Sequence, residues 1–484
     1  MGSLEIGNST TSGAVFNFAN SMVGAGAIGT GGAMAASGGA VSVVAIIVFG
    51  YLAKISSDLV ISLSVQAAEI DNFSNQTNKH PKTWPMEQNC PKQVQRPLTF
   101  EELGEMTHGV LGMAAVALAK FGFAFGCCVA YVHLVKSNCA SAIHHLLFED
   151  SQPVPQHLVW LELLMKKDGL FAIFLSTVVI LPLCLRRDLS VLAKASEVKM
   201  ACMYAIVFVI VYMFFFLEIN SESISSPSND QNLTYTRWIQ VRPGLIQSLG
   251  TFLFTFVAHH TVNITYESLK PEIQTVTTWK FVSASATAIG VMIVLMAGCF
   301  AYCTFWLDTS SDLFDIYPPL PIVDVAKVLL CLAMLLTYPM PFFACRDVLI
   351  TSFLVTRVSR SIDVNGPLDG SSESSALIEE GVGSSRSENE NFWMLPNEKR
   401  QLKFPYHFAI STTLWAVTVI LAVMAPSLGT VLNVVGCTSG SVIGFILPSL
   451  FSFKLNGYSH LALFLMIIGG FVGLVGTYFS LSKI

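Results

Sequence analysis

The sequence predicts an all-α polytopic membrane protein with about 11 transmembrane helices, and both its composition and the length of its apolar runs point to this class. Of the 484 residues, 53% are hydrophobic and only 12% are charged, and the mean hydropathy is +0.60. A soluble globule of this size needs more polar surface than that. The apolar runs extend over about 20 residues, the length with which an α-helix crosses roughly 30 Å of hydrocarbon. A membrane β-barrel would instead show alternating segments of about 10 residues.

Apolar windows of this length predict spans at residues 14–36, 39–63, 111–135, 169–185, 199–217, 245–266, 282–306, 323–345, 407–425, 428–451 and 460–481. An odd number of spans places the two termini on opposite sides of the membrane. Lys and Arg are concentrated in the loops that lie on the same side of the membrane as the N-terminus, which predicts a cytosolic N-terminus. The predicted organisation is a short cytosolic N-terminus (1–13), the first eight transmembrane helices with their loops (14–351), a disordered cytosolic loop (352–406) and the last three transmembrane helices (407–484).

The loop before the ninth span is rich in Ser, Gly, Glu and Asn and lacks apolar periodicity, which predicts disorder. Within it, residues Glu373 to Ile378 match the acidic dileucine pattern, so a sorting adaptor is a candidate partner there. The sequon at Asn232 lies in a predicted outside loop and indicates a glycoprotein. We expect the protein in the plasma membrane or in an endolysosomal membrane.

The first span is interrupted by the segment Asn20 to Gly29, which reads NSMVGAGAIG. Gly24, Gly26 and Gly29 expose backbone at membrane depth, where freed amides and carbonyls need partners. In secondary transporters such half-helix ends hold the substrate near the bilayer midplane. The Gly-x-Gly-x-x-Gly spelling does not indicate a dinucleotide site, because no strand precedes it and no βαβ pattern follows. Close packing of helices through small residues is the alternative interpretation.

Span six carries polar side chains where the membrane interior is expected. Phe256 is followed by His259, His260 and Asn263. Polar groups at that depth are costly and are functional by default, although they also serve to hydrogen-bond neighbouring helices. The histidines are therefore candidates for a role near the substrate or in handling a proton.

Span eight contains a candidate cation site at Thr337. Pro339 follows it, lacks an amide hydrogen and loosens the preceding backbone, so carbonyls become available beside the hydroxyl. Such oxygens suit sodium, and the side-chain carbonyl of Asn20 could supply another. The alternative is that Thr337 bonds only its own helix. In span two, Lys54 and Asp58 are spaced to form an ion pair along one helix.

At these residues the chain resembles the amino acid/auxin permease superfamily, and within it the sodium-coupled neutral amino acid transporters. The resemblance runs from about residue 13 to residue 481 and depends on several segments in combination. These segments are Asn20 to Gly29, Phe256 to His260, Asp312 to Tyr317 and Leu336 to Met340.

The resemblance implies a LeuT-like fold, a five-plus-five inverted repeat with one extra helix, and sodium-driven uptake of neutral amino acids such as glutamine. It assigns the substrate's carboxylate and amine to the backbone of the first break and the opposite wall to span six. The implied residues are Val23, Gly24, Ala25, Gly26, Phe256 and His259 for the substrate, and Asn20 and Thr337 for sodium. The chain departs from the family at Thr30 to Met34, where Leu-Pro and a bulky residue are usual, so its pocket is expected to differ in shape.

These observations lead to the hypothesis of alternating-access symport of a neutral amino acid with sodium. One alternative is a proton-coupled amino acid transporter of an acidic organelle, with His259 or His260 titrating. Another is an amino acid sensor with little net flux. We expect no enzyme, because no nucleophile, base and orienting group occur at plausible spacing. The expected partners are the amino acid, sodium as the co-transported ion and the lipid bilayer, with no other cofactor and no nucleic acid.

Overall fold

The computed structural model describes residues 9–79, 96–147, 159–165, 168–186, 190–221, 235–350 and 404–482. Within these ranges the chain is almost entirely helical, and its only β-type pairing is one isolated bridge between Ser9 and Leu269. The prediction of an all-α protein is therefore confirmed. The predicted loop with its motif at Glu373 to Ile378, and the sequon at Asn232, lie outside the described residues.

The helices in chain order are α1 (Thr11–Met22), α2 (Ala25–Ser37), α3 (Gly39–Lys79), α4 (Phe100–Leu147), α5 (Val159–Met165), α6 (Asp168–Leu175), α7 (Leu181–Leu185), α8 (Ser190–Ser221), α9 (Leu245–Phe256), α10 (Val262–Glu267), α11 (Val276–Phe305), α12 (Pro321–Thr337), α13 (Phe404–Met424), α14 (Leu428–Val435), α15 (Leu447–Asn456), α16 (His460–Phe471) and α17 (Thr477–Leu481). Helical backbone continues past Tyr338 to residue 350. Wider π-helical turns connect α6 to α7, α14 to α15 and α16 to α17.

Eight of the described helices are long and apolar enough to cross a membrane. They are Gly39–Asp71, Phe100–Leu147, Glu197–Leu217, Val276–Asp308, Pro321–Ile350, Phe404–Met424, Leu428–Asn456 and His460–Leu481. Large apolar side chains on these helices face outward, as with Leu111 at 83% and Leu474 at 79% exposure, which suits a hydrocarbon surrounding. The protein is a multi-pass membrane protein, and the total of 11 spans remains a prediction.

The three predicted spans outside this set are shorter or interrupted helices. The apolar helix Gly169–Leu185 is short. The first predicted span divides into α1 and α2 at Val23 and Gly24, and the sixth divides into α9 and α10 at residues 257–261. Backbone groups freed at a break have to be satisfied inside the protein, and both breaks are largely buried.

Close helix packing explains the glycines of the second half of the first span. α2 packs against α9 and α11, while α8 packs against α12. A Cβ atom on Gly32 would lie 2.5 Å from the backbone nitrogen of Ser311, so only a glycine permits this approach of α2 to the segment after α11. The Thr30 to Met34 segment therefore forms a tight contact with the segment after α11.

One polar contact lies within α3, and another joins distant parts of the chain. Lys54 Nζ lies 2.7 Å from Asp58 Oδ2, so the predicted ion pair of α3 is confirmed. Asp312, in the segment between α11 and α12, accepts hydrogen bonds from Ser137 and from Asn138 Nδ2 of α4, the latter at 3.0 and 3.1 Å. Burial raises the pKa of Asp312 above its usual 3.8, and the hydrogen bonds from Ser137 and Asn138 oppose that rise.

Candidate functional site

The first half of the candidate site is the break between α1 and α2. The helical bonds of α1 end with the Val23 amide donating to the Ala19 carbonyl at 3.0 Å. Gly24 then has extended backbone, with φ −156° and ψ −142°, and α2 begins at Ala25. The first amides of a helix have no acceptor within the helix, so this end of α2 carries partial positive charge. Amides so placed suit a carboxylate.

The second half is the break between α9 and α10, and it contacts the first. A Cβ atom on Gly26 would lie 2.4 Å from Thr255 Oγ1, so α2 and α9 meet with almost no side chain between them. Across the breaks, Thr261 Oγ1 donates to Ser21 Oγ at 3.1 Å. Phe256 and His259, which the family resemblance assigned to the opposite wall, are both buried where α9 ends. The structure therefore brings the two interrupted segments together.

Tyr131 of α4 lies beside the first break and was missed by the sequence analysis. A Cβ atom on Gly24 would lie 3.3 Å from Tyr131 Oη. The tyrosine stands within a long apolar run, so nothing in its sequence context distinguishes it from a core residue. Its position beside Gly24 makes it a candidate third wall of the site.

Polar groups around the second break line a cavity of about 60 Å³. Its polar lining comprises Thr99, Glu101, Lys120, His259, His260, Asn263 and Glu267. Among the described residues, both ring nitrogens of His259 and the Nδ1 atom of His260 are buried without a hydrogen-bond partner. Lys120 Nζ lies 2.6 Å from Glu101 Oε1 at the same cavity. Buried polar atoms of this kind call for water or a polar ligand.

The residues expected to bind sodium have different surroundings. The Oδ1 atom of Asn20 is buried and has no hydrogen-bond partner among the described residues, and a carbonyl oxygen in that state fits a cation. The backbone carbonyl of Asn20 accepts a hydrogen bond from Lys199 Nζ at 2.6 Å. Thr337 Oγ1 donates to the Ala333 carbonyl of its own helix at 2.6 Å, and its lone pairs can still face a cation.

A family model described as transmembrane amino acid transporter protein matches residues 82–482. The chain belongs to this family. The matched range includes the second break but begins after the first. The transporter family to which the chain belongs gives no indication of an enzyme.

Three similar proteins show how far the likeness extends. The "Putative sodium-coupled neutral amino acid transporter 11" of Rattus norvegicus is 26% identical over 351 residues, which are 72% of this chain and 66% of that protein. The Danio rerio protein of the same name is 22% identical and covers 97% of this chain and 86% of its own length. The "Sodium-coupled neutral amino acid symporter 2" of Danio rerio is also 22% identical, over 96% of this chain and 80% of its own length. The match to the rat protein spans slightly less than two thirds of that protein.

Proposed function

We propose that this member of the transmembrane amino acid transporter family is a secondary active transporter that moves neutral amino acids across a membrane by alternating access. The observation that carries the proposal is the contact between two interrupted helices. An amino acid carries its carboxylate and its ammonium group on one carbon atom, and a helix break presents free amides and free carbonyls next to each other. The amides that open α2 would bind the carboxylate, and the freed carbonyls at the end of α1 would bind the ammonium.

The side chains at the breaks favour a neutral substrate. Val23, Phe256 and Val257 are apolar and buried there, and the hydroxyl of Tyr131 lies beside Gly24. A charged substrate side chain would lose hydration against these apolar side chains. The printed names of the relatives also specify neutral amino acids.

Sodium is the proposed coupling ion, with oxygen ligands from Asn20 and Thr337. The unpartnered Asn20 Oδ1 atom and the names of the relatives support this assignment. One charge crossing about 100 mV contributes roughly 2.3 kcal/mol, and a tenfold sodium gradient adds about 1.4 kcal/mol. Together these permit accumulation of a neutral solute by several hundredfold.

The test is uptake of radiolabelled glutamine into proteoliposomes containing the full chain, with sodium or choline outside. Gly26→Val would place a branched side chain against Thr255 and separate the two breaks. We expect this variant to lose uptake on the order of 100-fold, as for a misplaced substrate. Gly470→Val is the matched control, because a Cβ atom there meets nothing within 4 Å.

The outcomes separate the candidate functions. Sodium-dependent accumulation that Gly26→Val abolishes and Gly470→Val preserves supports the proposal, provided that both variants melt as cooperatively as the parent protein. Saturable glutamine binding without accumulation in any gradient would instead identify a sensor. Unchanged uptake by Gly26→Val would show that the substrate does not pass between the breaks.

One observation favours proton coupling as a second candidate. The imidazoles of His259 and His260 have unpartnered nitrogens and line the cavity at the second break. Imidazoles are the side chains that most readily exchange protons near neutral pH. Uptake driven by an inward proton gradient in sodium-free buffer would support this candidate, and uptake that requires sodium at every pH would exclude it.

A further inference from the structure

Lys199 of α8 is a buried lysine with no carboxylate partner among the described residues. Its side chain is only 3% exposed, and its Nζ atom donates to the backbone carbonyl of Asn20 at 2.6 Å. In the part of the chain that the structure describes, no carboxylate lies within 4 Å of this nitrogen. An uncompensated buried charge is costly, so a lysine in this position is a candidate functional group.

The break in the first span creates the acceptor that Lys199 uses. In a continuous helix the Asn20 carbonyl would accept from the amide of Gly24. The extended backbone of Val23, with ψ 107°, turns the Gly24 amide out of the helix and leaves the Asn20 carbonyl to the ammonium. The side-chain Oδ1 atom of the same asparagine has no partner among the described residues. Asn20 therefore offers two oxygens that are not needed for helix formation.

The titratable neighbours of Lys199 do not supply the missing negative charge. The groups that interact with it electrostatically are the thiol of Cys127 on α4 and the imidazole of His260 at the second break. Thiols and imidazoles carry no negative charge at neutral pH. The Asn20 carbonyl is thus the principal ligand of the ammonium.

We propose that the Lys199 ammonium, bound to the backbone carbonyl of Asn20, opposes sodium at the side-chain Oδ1 atom of the same residue, so that sodium binds there fully only when the ammonium moves away. The inference rests on the proposed function for the assignment of sodium to Asn20. Both cations carry one positive charge and prefer a carbonyl oxygen, and two like charges at the two oxygens of one buried residue repel strongly at low dielectric. Lys199 therefore raises the sodium concentration that is needed to half-saturate the site.

The test measures binding of radiolabelled sodium to the purified full chain, independently of transport. Lys199→Met removes the ammonium while keeping the length of the side chain. We expect it to lower the half-saturating sodium concentration by at least about fivefold, the low end of coupling between sites. Lys199→Gln is a second neutral variant with the same expected direction, in case methionine impairs folding. Lys199→Arg keeps the charge and should bind sodium as weakly as the parent protein.

Lys327→Met is the matched control, because Lys327 is also a buried lysine and lies ten residues before Thr337 on α12. It should leave sodium binding unchanged. Tighter binding in Lys199→Met and Lys199→Gln alone supports the competition. Equal sodium binding in the parent protein and both neutral variants, or an equal gain in Lys327→Met, overturns it.

Glutamine uptake by the same preparations distinguishes a failure of this inference from a failure of the proposed function. If the parent protein takes up no neutral amino acid but the neutral variants bind sodium more tightly, the transport proposal fails and the competition stands. If uptake is driven by sodium and the variants bind sodium no more tightly, the transport proposal stands and the competition fails.

Discussion

Asn20 supplies two oxygen atoms at the first break that are available to cations. Its backbone carbonyl accepts from Lys199, and its side-chain oxygen is buried and without a partner among the described residues. Asn20 thus contacts Lys199 through its backbone oxygen and offers its side-chain oxygen to the proposed sodium ion. The hydroxyl of Thr337 bonds within its own helix, so it can contribute a lone pair to sodium without giving up that bond.

A substitution at Thr337 tests this division of roles. Thr337→Ala removes one proposed oxygen ligand, and we expect the half-saturating sodium concentration for glutamine uptake to rise at least about tenfold, or about 1.4 kcal/mol. The control is Thr337→Ser, which keeps the oxygen and should behave like the parent protein. Sodium dependence that is identical in all three proteins would remove Thr337 from the site.

The two interrupted helices pack directly against each other because their backbones approach closely. Gly26 meets Thr255 on α9, and Gly32 meets Ser311 in the segment after α11. The first contact brings the two breaks together. The contact of Gly32 with Ser311 holds the C-terminal part of α2 against the segment after α11. A bulky residue at position 32 would prevent this packing.

The packing of α2 leads to a stability prediction. Gly32→Ala would place a methyl group 2.5 Å from the Ser311 nitrogen, and backbone is less able to move than a flexible side chain. We expect the variant to lose about 1–3 kcal/mol, the usual cost of overpacking. Thermal unfolding of the purified protein measures the loss, with Gly470→Ala as the control in open space. An unchanged melting temperature would contradict the close contact.

At the scale of the whole molecule, a buried polar contact joins segments far apart in the chain. Asp312 joins the segment between α11 and α12 to α4, with Ser137 and Asn138 as donors. This carboxylate is 4% exposed, and its burial raises its pKa. The contact therefore depends on the protonation state of one acid outside the membrane-spanning segments.

The raised pKa of Asp312 predicts a pH-dependent stability. The folded protein holds the proton more tightly than the unfolded chain, so this contribution is fully present below pH 3.8 and is lost as pH rises through the folded-state pKa. Stability of the parent protein relative to Asp312→Asn should therefore fall as pH rises from about 4. Asp308→Asn, at an exposed aspartate nearby, is the control for removal of a charge. A difference that is constant with pH would refute the assignment.

Much of the architecture follows from local features of the chain. Composition and apolar run length predict a helical membrane protein, because a segment of about 20 apolar residues in lipid has to satisfy its own hydrogen bonds. The glycines at 24, 26 and 29 predict the break in the first span, since they lack the side chains that restrain the backbone. The Lys54 and Asp58 pair follows from spacing within one helix.

The tertiary structure decided which groups meet at the breaks. The second break contains neither glycine nor proline, yet it lies against the first and contacts it through Thr261 and Ser21. Lys199 is separated from Asn20 by 179 positions, and Tyr131 by more than a hundred, so no local pattern could connect them. Helix formation and membrane insertion depend on neighbouring residues. The partner of a freed carbonyl depends instead on how distant helices pack. In this protein, the packing of α8 against the first break places Lys199 at the Asn20 carbonyl.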